Sequence, residues 1–150
     1  VETTIVSYLT AFPSRDLIRA AHQQITRGWR TTRDEFELFA SQLVVREAAA
    51  GDPEAAALRL KALRGGHRLQ LTPEATALAE ILPRRGGLPR KATADAFHVA
   101  TAVVGKKDYL LTWNCTHIAN ATMRARIDQI CREAGFEPPV ICTPEELVHA

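Results

Sequence analysis

Three carboxylates and one amide stand where a packed domain needs a reason to put them: Glu2, Glu47, Asp95 and Asn114. Asp95 lies in "ADAFHVATAV" (residues 94–103), a segment of Ala, Val and Phe that carries one acid and one imidazole. A helix that is apolar nearly all round is a buried helix, so an acid in its first turn sits at the rim of the core. The simplest explanation is electrostatic capping, worth ~0.3–1 kcal/mol through the helix dipole. Glu47 follows Leu43 and Val44 by one turn in "SQLVVREAAA", on or beside the apolar stripe. Carboxylates are placed there chiefly when paired or metal-bound; the other reading is a solvated stripe edge. Glu2 precedes "TTIV", and Asn114 follows "LLTW". Each position alone reads as a cap or a turn. Gathered together, the acids would repel and raise at least one pKa unless a cation neutralised them. An oxygen-only set of this kind suits a hard divalent ion, Mg²⁺ or Mn²⁺.

The elements that would position these residues alternate. "TTIVSYL" begins with a β-branched run and reads as a strand. Leu17, Ile18, Ala21, Ile25 and Trp29 recur at helical spacing, which predicts an amphipathic helix over 14–29. "FELFA" (36–40) is a strand candidate. Ser41 caps the next helix, and Gly51 ends it in the left-handed conformation. Asp52–Pro53 starts a helix running to Gly65–Gly66. "RLQL" (68–71) is a weak strand, and Thr72–Pro73 opens a helix to about Leu82. Thr93 caps the Asp95 helix, which Gly105 ends. "DYLLT" is a strand, 120–134 a helix stopped by Gly135, "VIC" (140–142) a strand, and Thr143–Pro144 caps a last helical turn. Such alternation predicts an α/β fold with a mostly parallel sheet and helices on both faces. In sheets of that kind, ligands bind outside the carboxyl ends of the strands.

Composition narrows the function classes. The chain has 150 residues, 46% of them hydrophobic, enough for one domain with its own core. No apolar run is long enough to span a bilayer, and no opening segment reads as a secretion signal. Three cysteines, Cys115, Cys131 and Cys142, are an odd number without metal-ligand spacing; they read as small buried residues in a reducing compartment. The formal charge is only +2, so any contact with nucleic acid must use local patches. Arg27, Arg30 and Arg33 make one, and the "PRRGGLPRK" loop, with Arg84, Arg85, Arg90 and Lys91, makes the other. Neither G-x-G-x-x-G nor a Walker A motif is present, which sets aside a nucleotide-binding Rossmann enzyme.

The block "ADAFHVATAVVGKKDYLLTWNCTHIAN", with "VETTIVSYL" and "SQLVVREAA", resembles the PIN-domain nucleases, in particular the VapC-type toxins of toxin–antitoxin modules. The resemblance extends over nearly the whole chain, 1–150, as one domain. It implies a three-layer α/β/α architecture around a central, mostly parallel sheet. It places Glu2, Glu47 and Asp95 on the family's acidic positions as metal ligands, and Asn114 on a fourth position usually held by Asp. Thr4 and Thr112 match the supporting hydroxyls. Glu2 is one methylene longer than the family's Asp, and Asn114 lacks a charge, which weakens the case for a second metal ion. Only Val1 precedes Glu2, so a trimmed natural N-terminus is expected.

The resemblance implies Mg²⁺- or Mn²⁺-dependent hydrolysis of RNA, leaving 5′-phosphate and 3′-hydroxyl ends, in the cytoplasm. Arg84, Arg85, Arg90 and Lys91 would grip RNA phosphates. It also implies a homodimer and a cognate antitoxin as partners. Two rivals are carried forward. His98 and His117 could run metal-free acid–base cleavage through the 2′-hydroxyl, although His98 on an apolar helix reads first as a hydrogen-bonded structural residue. Alternatively, the domain is an inactive PIN-like module that binds RNA or protein.

Overall fold

The computed structural model describes residues 1–148. Its first element overturns a sequence expectation. Thr3–Thr10 form helix α1, not a strand, with Glu2 as N-cap. β-Branched residues disfavour a helix only weakly, and tertiary burial decides here. Ile5 packs with Trp29, Leu111, Trp113 and Cys142. Val6 packs with Ala40, Val44, Ala48 and Leu63. The helix sends Ile5 and Val6 into those two clusters and leaves Glu2 as its cap.

Helix α2 spans Leu17–Thr31 and is capped by Asp16, whose carboxylate accepts from Arg19 N at 2.8 Å. The predicted apolar stripe is buried only at its C-terminal end: Trp29 is buried and Ile25 packs beside it, whereas Leu17 and Ile18 are 85% and 69% exposed and the polar Gln23 and Thr26 are buried. The two polar residues are satisfied there. Gln23 accepts from Ser14 N and donates to Phe12 O, which fastens the α1–α2 turn. Thr26 Oγ1 accepts from Trp113 Nε1 at 2.7 Å.

Strand β1 (Phe39–Ser41) runs straight into α3 (Gln42–Ala48), with Ser41 Oγ accepting from Val44 N as cap. Helix α4 (Pro53–Ala62) starts at Asp52 with Pro at its first position, and Gly51 takes φ +84° between the two helices. Strand β2 (His67–Leu69) precedes α5 (Pro73–Arg84), capped by Thr72. The loop after α5 passes so close to its neighbours that a Cβ on Gly87 would lie 2.9 Å from Ile130 Cδ1. Helix α6 spans Thr93–Val104. Thr93 is its first residue rather than its cap; Ala92 holds the cap position and offers no side-chain bond. Strand β3 (Tyr109–Leu111), helix α7 (Ala121–Glu133), strand β4 (Val140–Cys142) and a 3₁₀ turn (Pro144–Leu147) complete the chain.

The α/β class is therefore observed, with seven α-helices among the described residues. The strands are three residues each and form two parallel pairs, β1–β2 and β3–β4, rather than one sheet. Val1 and Glu2 lie between the pairs. Val1 N donates to Phe39 O at 2.7 Å, and Glu2 N donates to Leu111 O at 2.9 Å. The main core forms where α5, α6 and α7 meet, around Leu82, Val99 and Ile127, each fully buried. No helix among the described residues is long and apolar enough to cross a membrane. Cys131 and Cys142 are buried as expected, but Cys115 is exposed.

Candidate active site

Glu2 is buried, with one carboxylate oxygen held by three donors. Its Oε2 accepts from Thr4 N at 3.2 Å, from Thr4 Oγ1, and from Thr112 Oγ1 at 2.8 Å. The two threonines are themselves anchored. Thr4 Oγ1 accepts from Trp113 N, and Thr112 Oγ1 accepts from Asn114 N, both at 2.9 Å. Helix α1 and the end of β3 are thus stitched together through one carboxylate oxygen. Its other oxygen, Oε1, faces His98 Nε2 at 3.9 Å.

Glu47 reaches the same place from α3. Its Oε2 lies 3.1 Å from His98 Nε2 and also accepts from Thr3 Oγ1. The His98 side chain is 4% exposed and that of Glu47 32%. The hydrogen bond from His98 holds the Glu47 carboxyl below its ordinary pKa; burial opposes this, and the Thr3 hydroxyl reinforces it. At Glu47 the shift runs downward, because the imidazole and hydroxyl donors outweigh the burial of the carboxylate. One ligand atom from each of Glu2, Glu47 and His98 falls within 4.8 Å of the others.

Asp95 occupies the first turn of α6, three residues before His98. That places it on the same helix face, ~4.5 Å along the axis. Its Oδ1 accepts from Asn114 Nδ2 at 2.9 Å, and its Oδ2 lies 2.6 Å from His117 Nδ1. Asn114 Oδ1 accepts from His117 N at 3.1 Å. The amide oxygen expected to face a metal is thus turned to the backbone, and Asn114 orients Asp95 instead.

The four expected polar residues and both supporting threonines are brought to one end of α6, though in two linked groups. Glu2, Glu47 and His98 form the compact group; Asp95, Asn114 and His117 form the second. The donor set fits a divalent ion. A first-row ion at ~2.0–2.2 Å from each donor allows at most about 4.4 Å between donors, so a few tenths of an ångström of side-chain adjustment closes the set. An imidazole among the carboxylates shifts preference from Mg²⁺ toward Mn²⁺. Thr3 was missed as a site residue, and His98 and His117 were read only as a metal-free rival pair, not as partners of the acids. The signal for His98 lay in its i+3 spacing from Asp95, and that for Thr3 in its place beside Thr4.

The expected basic residues are dispersed. Arg84 is exposed and faces Glu80 at 3.9 Å. Arg85 is paired with Glu133, so its charge is engaged away from the acids. Arg90 and Lys91 are exposed just before α6. Of the other patch, Arg27 donates to Ala11 O, and Arg33 pairs with Asp34.

Fold and site together define an α/β protein whose acids and imidazoles converge at a helix start. No protein-family model matches the chain, and neither curated proteins nor solved structures yield a match.

Proposed function

We propose that the protein is a divalent-metal-dependent endoribonuclease of the PIN-domain type, acting in the cytoplasm. The observation that supports this most directly is the convergence of acids from positions 2, 47 and 95 on the first turns of α6. Glu2, Glu47 and His98 would hold the ion, with Asp95 beside them. When bound, Mg²⁺ or Mn²⁺ acidifies a water and stabilises charge on phosphoryl oxygens. The chain's own residues prepare that chemistry. Thr4 and Thr112 fix the Glu2 carboxylate, Thr3 and His98 fix that of Glu47, and Asn114 and His117 fix that of Asp95. A preset carboxylate geometry lowers the reorganisation that binding would otherwise require. The resemblance extends the proposal to a toxin of a type II toxin–antitoxin pair, with a homodimer and a cognate antitoxin.

A second reading has one observation in its favour. His98 already stands between Glu47 and Glu2, and His117 is bonded to Asp95, an arrangement that needs no ion and suits an inactive RNA- or protein-binding module. A metal titration on a mixed RNA pool separates the readings. The nuclease cleaves with Mn²⁺ or Mg²⁺, stops in EDTA and leaves 5′-phosphate ends. Cleavage that continues in EDTA with 2′,3′-cyclic ends would assign the chemistry to the histidines. Binding without any cleavage would assign the inactive module.

A further inference from the structure

The two strand pairs each turn an open edge toward one cavity. Among the described residues β1 pairs only with β2, and β3 only with β4. Between β1 and β3 lies a slot of about 350 Å³, with Leu38 and Phe39 on one side and Tyr109, Leu110 and Leu111 on the other. Val1 and Glu2 stand at one end of it. Val1 N donates to Phe39 O on one side, and Glu2 N donates to Leu111 O on the other. Successive residues that bond to opposite neighbours are the mark of a strand between two others. The direction is parallel to β3, because the chain passes from Glu2 beside Leu111 to Thr4 beside Trp113.

The edges facing the slot have unused backbone groups. On β1, Leu38 O accepts from His67 N, so Leu38 and Ala40 bond toward β2 and Phe39 toward the slot. On β3, Asp108 O accepts from Val140 N and Thr112 N donates to Cys142 O, so Leu111 also bonds toward the slot. The N–H groups of Phe39 and Leu111 and the C=O groups of Glu37 and Tyr109 have no partner among the described residues. Open edges of this kind are templates for a further strand.

We infer that the slot takes an extended polypeptide segment of about four residues that runs into Val1 and joins the two pairs into a single sheet, in the order β2, β1, segment, β3, β4. Continuity with Val1 and Glu2 sets its register. The residue joined to Val1 accepts from Leu111 N and donates to Tyr109 O. The residue before that accepts from Phe39 N and donates to Glu37 O. All four open groups are then paired. The two faces set its composition. Val1 packs with Trp29 and Leu147, while Glu2 turns to His98 on α6. Trp29 and Leu147 line the slot, as do Thr101 and Ala102 of α6, so side chains are covered on both faces. A central parallel strand of this kind is rich in Val, Ile and Leu throughout rather than alternating with polar residues. Glu2 then ends a central strand, where ligands of parallel sheets bind. The inference concerns the sheet and holds whether or not the site binds metal.

The test compares the chain with two forms extended before Val1 by five residues. One extension is Val, Ile and Leu only; the other carries Pro at the two positions next to Val1, which removes both donors. Amide hydrogen exchange at Phe39 and Leu111 is the readout. The apolar extension should slow both amides at least ~10-fold and raise the thermal midpoint. The Pro extension should leave both as in the unextended chain. Unchanged exchange with the apolar extension overturns the inference. So does protection of one amide without the other, which is pairing at an edge rather than insertion. Protection of the unextended chain that grows with protein concentration assigns the slot to a second copy and overturns it as well.

Discussion

Asp95→Asn separates the chemistry of the site from its architecture. Asp95 has an 18% exposed side chain with two partners, Asn114 Nδ2 and His117 Nδ1. The substituted amide can keep its oxygen on Asn114 and turn its nitrogen to His117, which then accepts. Both bonds survive in neutral form. A bond to a charged group is worth ~1.5–3 kcal/mol against ~0.5–1.5 for a neutral one, and the lost first-turn charge costs a further ~0.3–1 kcal/mol. Shared over a partly exposed group, the total is about 1–2 kcal/mol, small beside a domain stability of ~5–15 kcal/mol. Thermal unfolding should fall by roughly 2–8 °C for a chain of this size. Metal-dependent cleavage should fall at least ~100-fold, the scale seen when one transition-state electrostatic contact is removed. The assay is single-turnover cleavage of labelled RNA in Mn²⁺, alongside a melting curve. Wild-type cleavage by the variant would falsify the role given to this acid. Failure to fold would make Asp95 a structural cap and leave Glu2, Glu47 and His98 as the whole candidate centre.

Three further outcomes follow from the geometry. Because the folded-state pKa of Glu47 is depressed, chiefly by its hydrogen bond with His98, its contribution is present above the ordinary glutamate pKa and is lost as pH falls through the lower folded value. In metal-free urea titrations, the wild type should therefore lose more stability across that acidic window than Glu47→Gln; parallel profiles would refute the pairing. Burial pushes the Cys131 and Cys142 thiols up to about 11, so at pH ~8 a disulfide reagent should titrate Cys115 quickly and the other two only after unfolding. Rapid reaction of two thiols in the folded protein would contradict the packing described. Thr26→Val removes the acceptor of the buried Trp113 indole N–H and should cost about 1–3 kcal/mol in urea unfolding, with a change below ~0.5 kcal/mol counting against that bond.

What the sequence showed, and what it hid, divides by range. Helix starts at Ser41, Asp52 and Thr72 were legible because each cap reaches a backbone N–H only three residues on: Val44, Ala55 and Ala75. Helix α1 was misread because its fate rests on partners more than twenty residues away, which place Ile5 and Val6 in separate clusters. The buried face of α2 was read correctly at Ile25 and Trp29 but not at Gln23 and Thr26, whose polar groups are satisfied by Phe12, Ser14 and Trp113 rather than exposed. The acids themselves stood out as charges on apolar segments. Of their partners, Thr4, Thr112 and Asn114 were reached only through the family resemblance and Thr3 not at all, since a threonine is unremarkable until a carboxylate is brought against it.

The two groups of the site are not independent, and the end of β3 explains why. Thr112 Oγ1 donates to Glu2, accepts from Asn114 N, and is fully buried. Asn114 then holds Asp95 through its side-chain amide. One hydroxyl thereby sets the distance between an acid that caps α1 and an acid in the first turn of α6. The acids come from distant points of the chain, so no local segment could hold that spacing; a strand end wedged between two helix starts does. The sequence "LLTWN" is, in that sense, the ruler of the site: its leucines bury the strand, its threonine and asparagine orient the acids, and its tryptophan locks the whole against α2.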